Sequence, residues 1–170
     1  MNTMRRILMT FALCAICIAA EAQLAQFQAL YIYNFAKNIG WPPEDASKEL
    51  TITVIADNDL VTELTKLAKT KQVGARKVVV KESSSANGIQ KSDIIFLGEA
   101  RSNQISNLIT SQADNKNLIV SAKRGLCAQG AGISFMTDGG KLKFEISNKN
   151  IAKKGLAVSQ KMLQLGTAVD

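Results

Sequence analysis

The sequence contains no histidine, and this absence removes most of the familiar catalytic chemistry. Without an imidazole there is no Ser-His or Cys-His nucleophile pair and no histidine general base. Most zinc sites also use histidine or several cysteines. The carboxylates are scattered, and no spacing places two of them on one face of a predicted element as an acid–base pair. The sequence therefore predicts a protein without enzymatic activity, metal or cofactor.

The first 22 residues have the pattern of a cleavable secretory signal peptide. The pair Arg5-Arg6 is positively charged, and the stretch from Ile7 to Ala20 carries no charge. That stretch is shorter than the ~20 residues that a membrane-spanning helix needs. It ends at Ala20-Glu21-Ala22, with small residues at the two positions that a signal peptidase recognises. We therefore expect cleavage before Gln23 and export of one domain, residues 23–170.

Cysteine is scarce, and the position of each cysteine limits the redox chemistry. Cys14 and Cys17 lie inside the apolar stretch and follow Leu13 and Ile16, where a lipoprotein signal requires a small residue. A lipid anchor is therefore disfavoured. Cleavage would leave only Cys127, so that no intramolecular disulfide could form. A lone cysteine in an exported domain indicates either a buried thiol, which is the more common case, or an intermolecular bond.

The chain is basic, with a formal net charge of +7. The excess persists without residues 1–22, because only two arginines and one glutamate lie there. Nucleic acid is an improbable partner for an exported protein. The charge indicates either a solvated surface or attraction to an acidic partner or to the cell envelope. The densest group of cations consists of Lys66, Lys69, Lys71, Arg76, Lys77 and Lys81.

Hydrophobic periodicity predicts alternating helices and strands. An N-terminal helix has apolar residues at helical spacing, at Leu24, Phe27, Leu30, Tyr31, Phe35 and Ile39. A second helix follows an N-cap within Asp57-Asn58-Asp59, and a third begins at Ser102. The predicted strands are Thr51–Ala56, Arg76–Lys81, Asp93–Leu97 and Leu118–Ser121. Strands that alternate with helices favour a mostly parallel sheet covered on both faces.

The last third of the sequence has a different pattern. The runs from Ala131 to Thr137 and from Lys141 to Ile146 flank Asp138-Gly139-Gly140, which is typical of a β-hairpin. After a cap at Ser147 or Asn148, a single helix is expected to reach Gly166, with one apolar stripe formed by Ile151, Val158, Met162 and Leu165. The predicted fold is a three-layer α/β sandwich with a C-terminal antiparallel hairpin.

Two surfaces are candidates for binding a partner. The first lies on the N-terminal helix, where Tyr33 and Lys37 are one helical turn apart and largely off the apolar stripe, followed by Trp41. Aromatic residues at helical spacing are more often part of the core, so packing is the alternative explanation. The second is a loop and hairpin edge formed by Lys123, Arg124, Phe135, Lys141 and Lys143. Gly125, Gly130 and Gly132 lie near this edge but precede a strand. A phosphate loop is therefore disfavoured, because such a loop normally leads into the N-terminus of a helix.

Several segments together resemble the YfiR family. They are the aromatic helix ending in Trp41-Pro42, the strand Ile94–Leu97, Gly132-Ile133-Ser134-Phe135, and the run from Lys143 to Asn148. The resemblance implies a small, dimer-forming periplasmic α/β protein without enzymatic activity. It implies binding to the periplasmic sensor domain of a membrane-bound diguanylate cyclase, which restrains cyclic-di-GMP signalling and biofilm formation. It also implies that an outer-membrane lipoprotein can sequester the protein.

This sequence departs from the family pattern at several positions. Ser92 stands where many relatives have a cysteine, so redox control through intramolecular disulfides does not carry over. Ala131 and Ile133 replace a glycine and a methionine of the family strand. These changes suggest a distant branch whose partner could be a sensor kinase instead. A second function stays open: a small periplasmic protein that binds a solute or envelope component near Lys123, Arg124 and Phe135.

Overall fold

The computed structural model describes residues 23–42 and 49–169, and the predicted signal peptide lies outside them. The α-helices are α1 (23–38), α2 (Asn58–Ala68), α3 (Ile105–Ser111), α4 (Asn148–Lys153) and α5 (Gln160–Leu165). The strands are β1 (Ile39–Gly40), β2 (Glu49–Ile55), β3 (Gln72–Val73), β4 (Arg76–Ser83), β5 (Ile94–Leu97), β6 (Leu118–Ser121), β7 (Ile133–Asp138), β8 (Lys141–Ile146), β9 (Ala157–Val158) and β10 (Thr167–Ala168). Two 3₁₀ helices span Glu99–Gln104 and Leu126–Gln129.

The main sheet has eight strands in the order β10-β8-β7-β6-β5-β2-β4-β3. Strands β4, β2, β5, β6 and β7 are parallel, whereas β7–β8 and β3–β4 are antiparallel. This confirms the predicted mostly parallel sheet with an antiparallel hairpin. Because β4 and β5 lie on opposite sides of β2, the strand order reverses at β2. In open α/β sheets, ligands bind beyond the carboxyl ends of the strands at such a point.

Side chains on both sheet faces are buried, as in a three-layer sandwich. Val54 and Phe96 pack into the same apolar cluster as Ile32 of α1. Leu97, on the opposite face, packs into a second cluster with Leu108 of α3. The central strands are therefore continuous apolar runs, which is typical of parallel strands buried on both sides.

Two local predictions from the sequence are confirmed. Asp57 caps α2, where its carboxylate accepts a hydrogen bond from the backbone N–H of Leu60 at 3.0 Å. The β7–β8 hairpin turns at Gly139 and Gly140, whose φ angles are 57° and 73°. A two-residue turn with both φ angles positive matches the twist of the flanking strands, and glycine adopts it without a Cβ penalty.

The predicted apolar stripe of α1 is wrong at its first two positions. Leu24 and Phe27 are 41% and 46% exposed. The buried face of α1 consists of Ala25, Gln28, Ala29, Ile32, Phe35 and Ala36. The three alanines on this face are small enough for the helix to lie close to the sheet, which leaves the larger Leu24 and Phe27 outside the contact.

The prediction of one final helix up to Gly166 is also wrong. Gly155, with φ of 69°, ends the first segment after α4. Val158 then pairs with Ile39 in a separate two-stranded ladder. Ser159 caps α5 by accepting a hydrogen bond from the N–H of Met162. Apolar spacing alone could not reveal this break, because the residues on both sides of it keep the same helical period.

Candidate functional site

A crevice of about 380 Å³ lies beyond the carboxyl ends of β2, β5 and β6. Asp57, Glu99 and Lys123 line it, and each follows the end of one of these strands within two residues. The lining residues from α1 and the β7–β8 hairpin are Leu24, Gln28, Phe135, Met136, Thr137 and Leu142. The crevice is thus at the place where the sheet topology favours ligand binding.

The crevice contains charged groups of both signs. The carboxylate of Asp57 is half-buried, and the loss of hydration raises its pKa above the ordinary value, with a further contribution from the charge of Asp59. Glu99 is exposed. Lys123 and Arg124, which the sequence proposed as partner-binding residues, are exposed and line the same space. The sequence did not predict that carboxylates would face these cations.

Arg124 is held in place by a buried carboxylate from β8. The Nε of Arg124 donates to Oε1 of Glu145 at 3.2 Å, and the backbone N–H of Gly125 donates to Oε2 at 2.7 Å. The Glu145 side chain is 8% exposed and that of Arg124 is 69% exposed. Arg124 therefore has a fixed position while most of its side chain still faces solvent.

Gln28 is a site residue that the sequence reasoning missed. The residue is 5% exposed, and its side chain lines the crevice. Its amide has no hydrogen-bond partner among the residues that the structure describes. Although the residue as a whole is mostly buried, its amide atoms keep contact with solvent in the crevice. The sequence did contain a signal for its burial, because Gln28 is next to Ala29 and at helical spacing from Ala25 and Ile32.

A second cavity, of about 540 Å³, adjoins the crevice on the side of the hairpin. We call it the apolar groove, lined chiefly by Leu24, Phe27, Tyr31 and Leu142, with Lys141 at its rim. Leu24 and Leu142 line both cavities. The exposed Leu24 and Phe27, whose burial was predicted wrongly, thus form one wall of a continuous apolar surface.

The floor beneath the crevice and groove is an aromatic cluster. Phe135 is only 1% exposed, so it can reach a ligand only from the bottom of the crevice. Its ring lies edge-on to Tyr31, with centroids 5.9 Å apart, and near Phe35 at 5.8 Å. Lys143 lies on the exposed hairpin and donates to Asp138 at 2.6 Å, which holds the pKa of that carboxyl below its usual value.

The other candidate surface involves strand β3, which lies at the opposite end of the sheet order from the hairpin strand β8. Tyr33 donates its hydroxyl hydrogen to the carbonyl of Gln72 in β3, the last strand of the sheet order. The ammonium of Lys37 is 5.7 Å from the centroid of the Tyr33 ring. Trp41 is partly buried, and its indole N–H donates to the carbonyl of Ala36 at 2.9 Å. The structure therefore does not bring the two predicted surfaces together.

Neither a metal centre nor a membrane span is found in the described part of the chain. Residues 23–42 and 49–169 contain no group of three or more carboxylate or cysteine side chains that could hold a metal ion. No helix within these ranges is sufficiently long and apolar to cross a bilayer. Cys127 is a buried thiol, 3.4 Å from the hydroxyl oxygen of Ser134.

Comparisons with known proteins agree with this architecture. A solved structure described as a conserved domain protein from Vibrio cholerae O1 biovar El Tor strain N16961 aligns with a TM-score of 0.56 and 14% identity. The alignment covers 86% of this chain but 60% of that one, so the likeness concerns the fold. No curated protein sequence matches significantly. The YfiR/HmsC-like family model matches residues 25–167. Since this match covers most of the chain, the protein belongs to the YfiR/HmsC-like family.

Proposed function

We propose that this protein is a non-enzymatic periplasmic regulator. It binds and restrains the extracytoplasmic sensor domain of a membrane signalling enzyme, either a diguanylate cyclase or a sensor kinase. Family membership and the signal-peptide pattern of residues 1–22 support this proposal. With a cyclase as partner, binding would lower cyclic-di-GMP and biofilm formation. Homodimer formation and sequestration by an outer-membrane lipoprotein belong to the same proposal.

The observation that carries the proposal is the exposed apolar groove. Leu24 and Phe27 leave almost half of their surface in water, although α1 packs firmly on the sheet through its other face. Large apolar side chains on a rigid element are typical anchors of protein interfaces. Tyr31 provides a partly buried aromatic surface between them and the hairpin. A partner that covers this groove would remove the exposed apolar area from water.

The charges next to the groove would add specificity. Lys123 and Arg124 face the adjoining crevice, and Lys141 stands at the rim of the groove. Cations beside an apolar patch favour a partner with acidic groups around its own apolar centre. Charge complementarity of this kind mainly raises association rates and selects among partners.

A cellular experiment tests this function. Lys123→Glu combined with Arg124→Glu should raise the output of the membrane enzyme, measured as cyclic-di-GMP or kinase phosphorylation, because the protein can no longer hold its partner. The matched control reverses two charges elsewhere, with Lys153→Glu and Lys161→Glu, and should behave as wild type. If both folded, exported variants restrain the enzyme fully, the crevice charges do not contribute to binding.

A second candidate function, binding of a small solute, is favoured by the crevice itself. Its volume suits a small molecule, and the amide of Gln28 together with Asp57 and Lys123 could orient polar groups. Native mass spectrometry of protein taken from periplasmic extracts would test it. A bound small molecule that is lost in Gln28→Leu would support this function, and unliganded protein under the same conditions would argue against it.

A further inference from the structure

Two lysines lie against one tyrosine ring at the β3 edge of the sheet. The ammonium nitrogens of Lys37 and Lys71 are 5.7 Å and 5.6 Å from the centroid of Tyr33. The hydrogen bond from Tyr33 to the carbonyl of Gln72 fixes the ring beside β3. Both lysines are exposed, and neither has a carboxylate partner among residues 23–42 and 49–169. The fold thus places two ammonium groups against one aromatic ring.

More cations and a second aromatic ring belong to the same region. Lys77 lies opposite Gln72 in the β3–β4 ladder and is exposed. Lys69, also exposed, is the C-cap residue of α2. The guanidinium of Arg76 lies over the ring of Trp41, at 5.9 Å from its centroid. We call the set Tyr33, Lys37, Trp41, Lys69, Lys71 and Lys77 the basic edge.

The combination of aromatic and basic side chains points to a particular kind of surface. Tyrosine and tryptophan are enriched at the headgroup level of membranes, because their rings are apolar with one polar group. Clustered lysines are attracted to anionic phospholipids, because each ammonium group near the surface adds to the binding. Lysine side chains can also extend their ammonium groups towards phosphates while their stems remain near the aromatic rings.

We propose that the basic edge binds the surface of a bilayer that contains anionic phospholipids. This proposal rests on the proposed function, which places the protein beside a membrane-bound partner. Strand β3 and the groove-forming strand β8 lie towards opposite ends of the sheet order. A domain that contacts the bilayer through its basic edge therefore keeps the apolar groove available to a partner domain that rises from the membrane.

Vesicle binding tests the proposal with defined probes. The protein without residues 1–22, which retains every described element, is mixed with vesicles of phosphatidylcholine alone or with added phosphatidylglycerol. Sedimentation gives the partition coefficient, and Trp41, the only tryptophan, reports contact through a blue shift of its fluorescence. The test variant is Lys69→Glu with Lys71→Glu, two exposed lysines of the basic edge. Its matched control, Lys153→Glu with Lys161→Glu, changes the net charge equally.

We expect salt-sensitive binding to the anionic vesicles and little to the neutral ones. The partition coefficient should fall at least about tenfold in the test variant and stay within about twofold of wild type in the control. Absence of binding to anionic vesicles, equal binding to neutral ones, or equal loss in both variants would overturn the proposal. Displacement of the protein from the vesicles by inorganic phosphate at constant ionic strength would also overturn the proposal, because the basic edge would then bind an isolated anion.

Two further measurements keep the result interpretable. Circular dichroism establishes whether each variant is folded. If the charge reversal unfolds the protein, Lys69→Gln with Lys71→Gln replaces it and should still weaken vesicle binding several-fold. The test variant should also bind the soluble sensor domain of the partner as tightly as wild type. A loss of vesicle binding with unchanged partner binding therefore assigns the effect to the basic edge. A loss of partner binding with unchanged vesicle binding would instead bear on the proposed function.

Discussion

Glu145 accepts a hydrogen bond from the backbone N–H of Gly125 at 2.7 Å and so joins the loop after β6 to strand β8. This buried carboxylate also accepts from Arg124. Glu145→Ala should lower the free energy of unfolding by about 1–3 kcal/mol, because a loop donor loses its partner. Arg124→Ala should cost less than about 1 kcal/mol, since its side chain is mostly solvated. Urea denaturation measures both, and equal losses would contradict this assignment.

Asp57 should make stability depend on pH. Burial raises its pKa in the folded state above the unfolded value of 3.8. Its contribution to stability is then complete below the unfolded pKa and is lost as the pH rises through the folded pKa. Asp57→Asn keeps a good N-cap but cannot ionise, so its stability relative to wild type should increase as the pH rises above 3.8 and through the folded pKa of Asp57. A gain that does not depend on pH would contradict the explanation.

Gly98 permits the close approach of β5 to the end of β2. A Cβ on Gly98 would lie 2.6 Å from the carbonyl oxygens of Ile55 and Ala56, and backbone atoms have little room to move. Gly98→Ala should therefore lower the thermal midpoint, with a loss of about 1–3 kcal/mol. In Gly40→Ala the nearest atom is the Cβ of Ala157 at 3.3 Å, so the loss should be smaller. A reversed order of the two effects would show that the strands adjust more easily than their spacing indicates.

Cys127 should not support redox control by a disulfide. It is buried, and its thiol lies near the Ser134 hydroxyl and the Glu145 carbonyl. In protein without residues 1–22, the melting temperature should be the same with and without reductant, whereas a structural disulfide would typically contribute ~2–4 kcal/mol. Cys127→Ser should still restrain the membrane partner. A melting temperature that depends on reductant, or a dimer lost in this variant, would reveal a bond between two chains.

The sequence predicted those parts of the fold that depend on local chemistry. The cap at Asp57 and the turn at Gly139-Gly140 follow from short-range hydrogen bonding and backbone freedom, so residue type was sufficient. The exposure of Phe27 depends on which face of α1 meets the sheet. Periodicity gives the spacing of apolar residues but does not distinguish a core face from an exposed apolar groove.

The site was predictable only in part, because it joins distant segments. Lys123 was a candidate from its loop position, but Glu99 and Asp57 meet it only through the order of the parallel strands. Gln28 was missed because a glutamine within a helix is normally solvent-facing. Its burial follows from the closeness of α1 to the sheet, which the neighbouring alanines permit. Contacts of this kind are properties of the packed layers rather than of any one segment.

The most direct test of the proposed function measures binding to the purified extracytoplasmic domain of the membrane partner by isothermal titration calorimetry. Phe27→Ala removes an exposed apolar side chain of the groove, and Gln26→Ala changes its exposed neighbour on the same helix. We expect Phe27→Ala to cost about 2 kcal/mol of binding free energy, or about thirtyfold in Kd, with Gln26→Ala unchanged. Wild-type affinity in a folded Phe27→Ala variant would contradict the role of the groove as the docking surface.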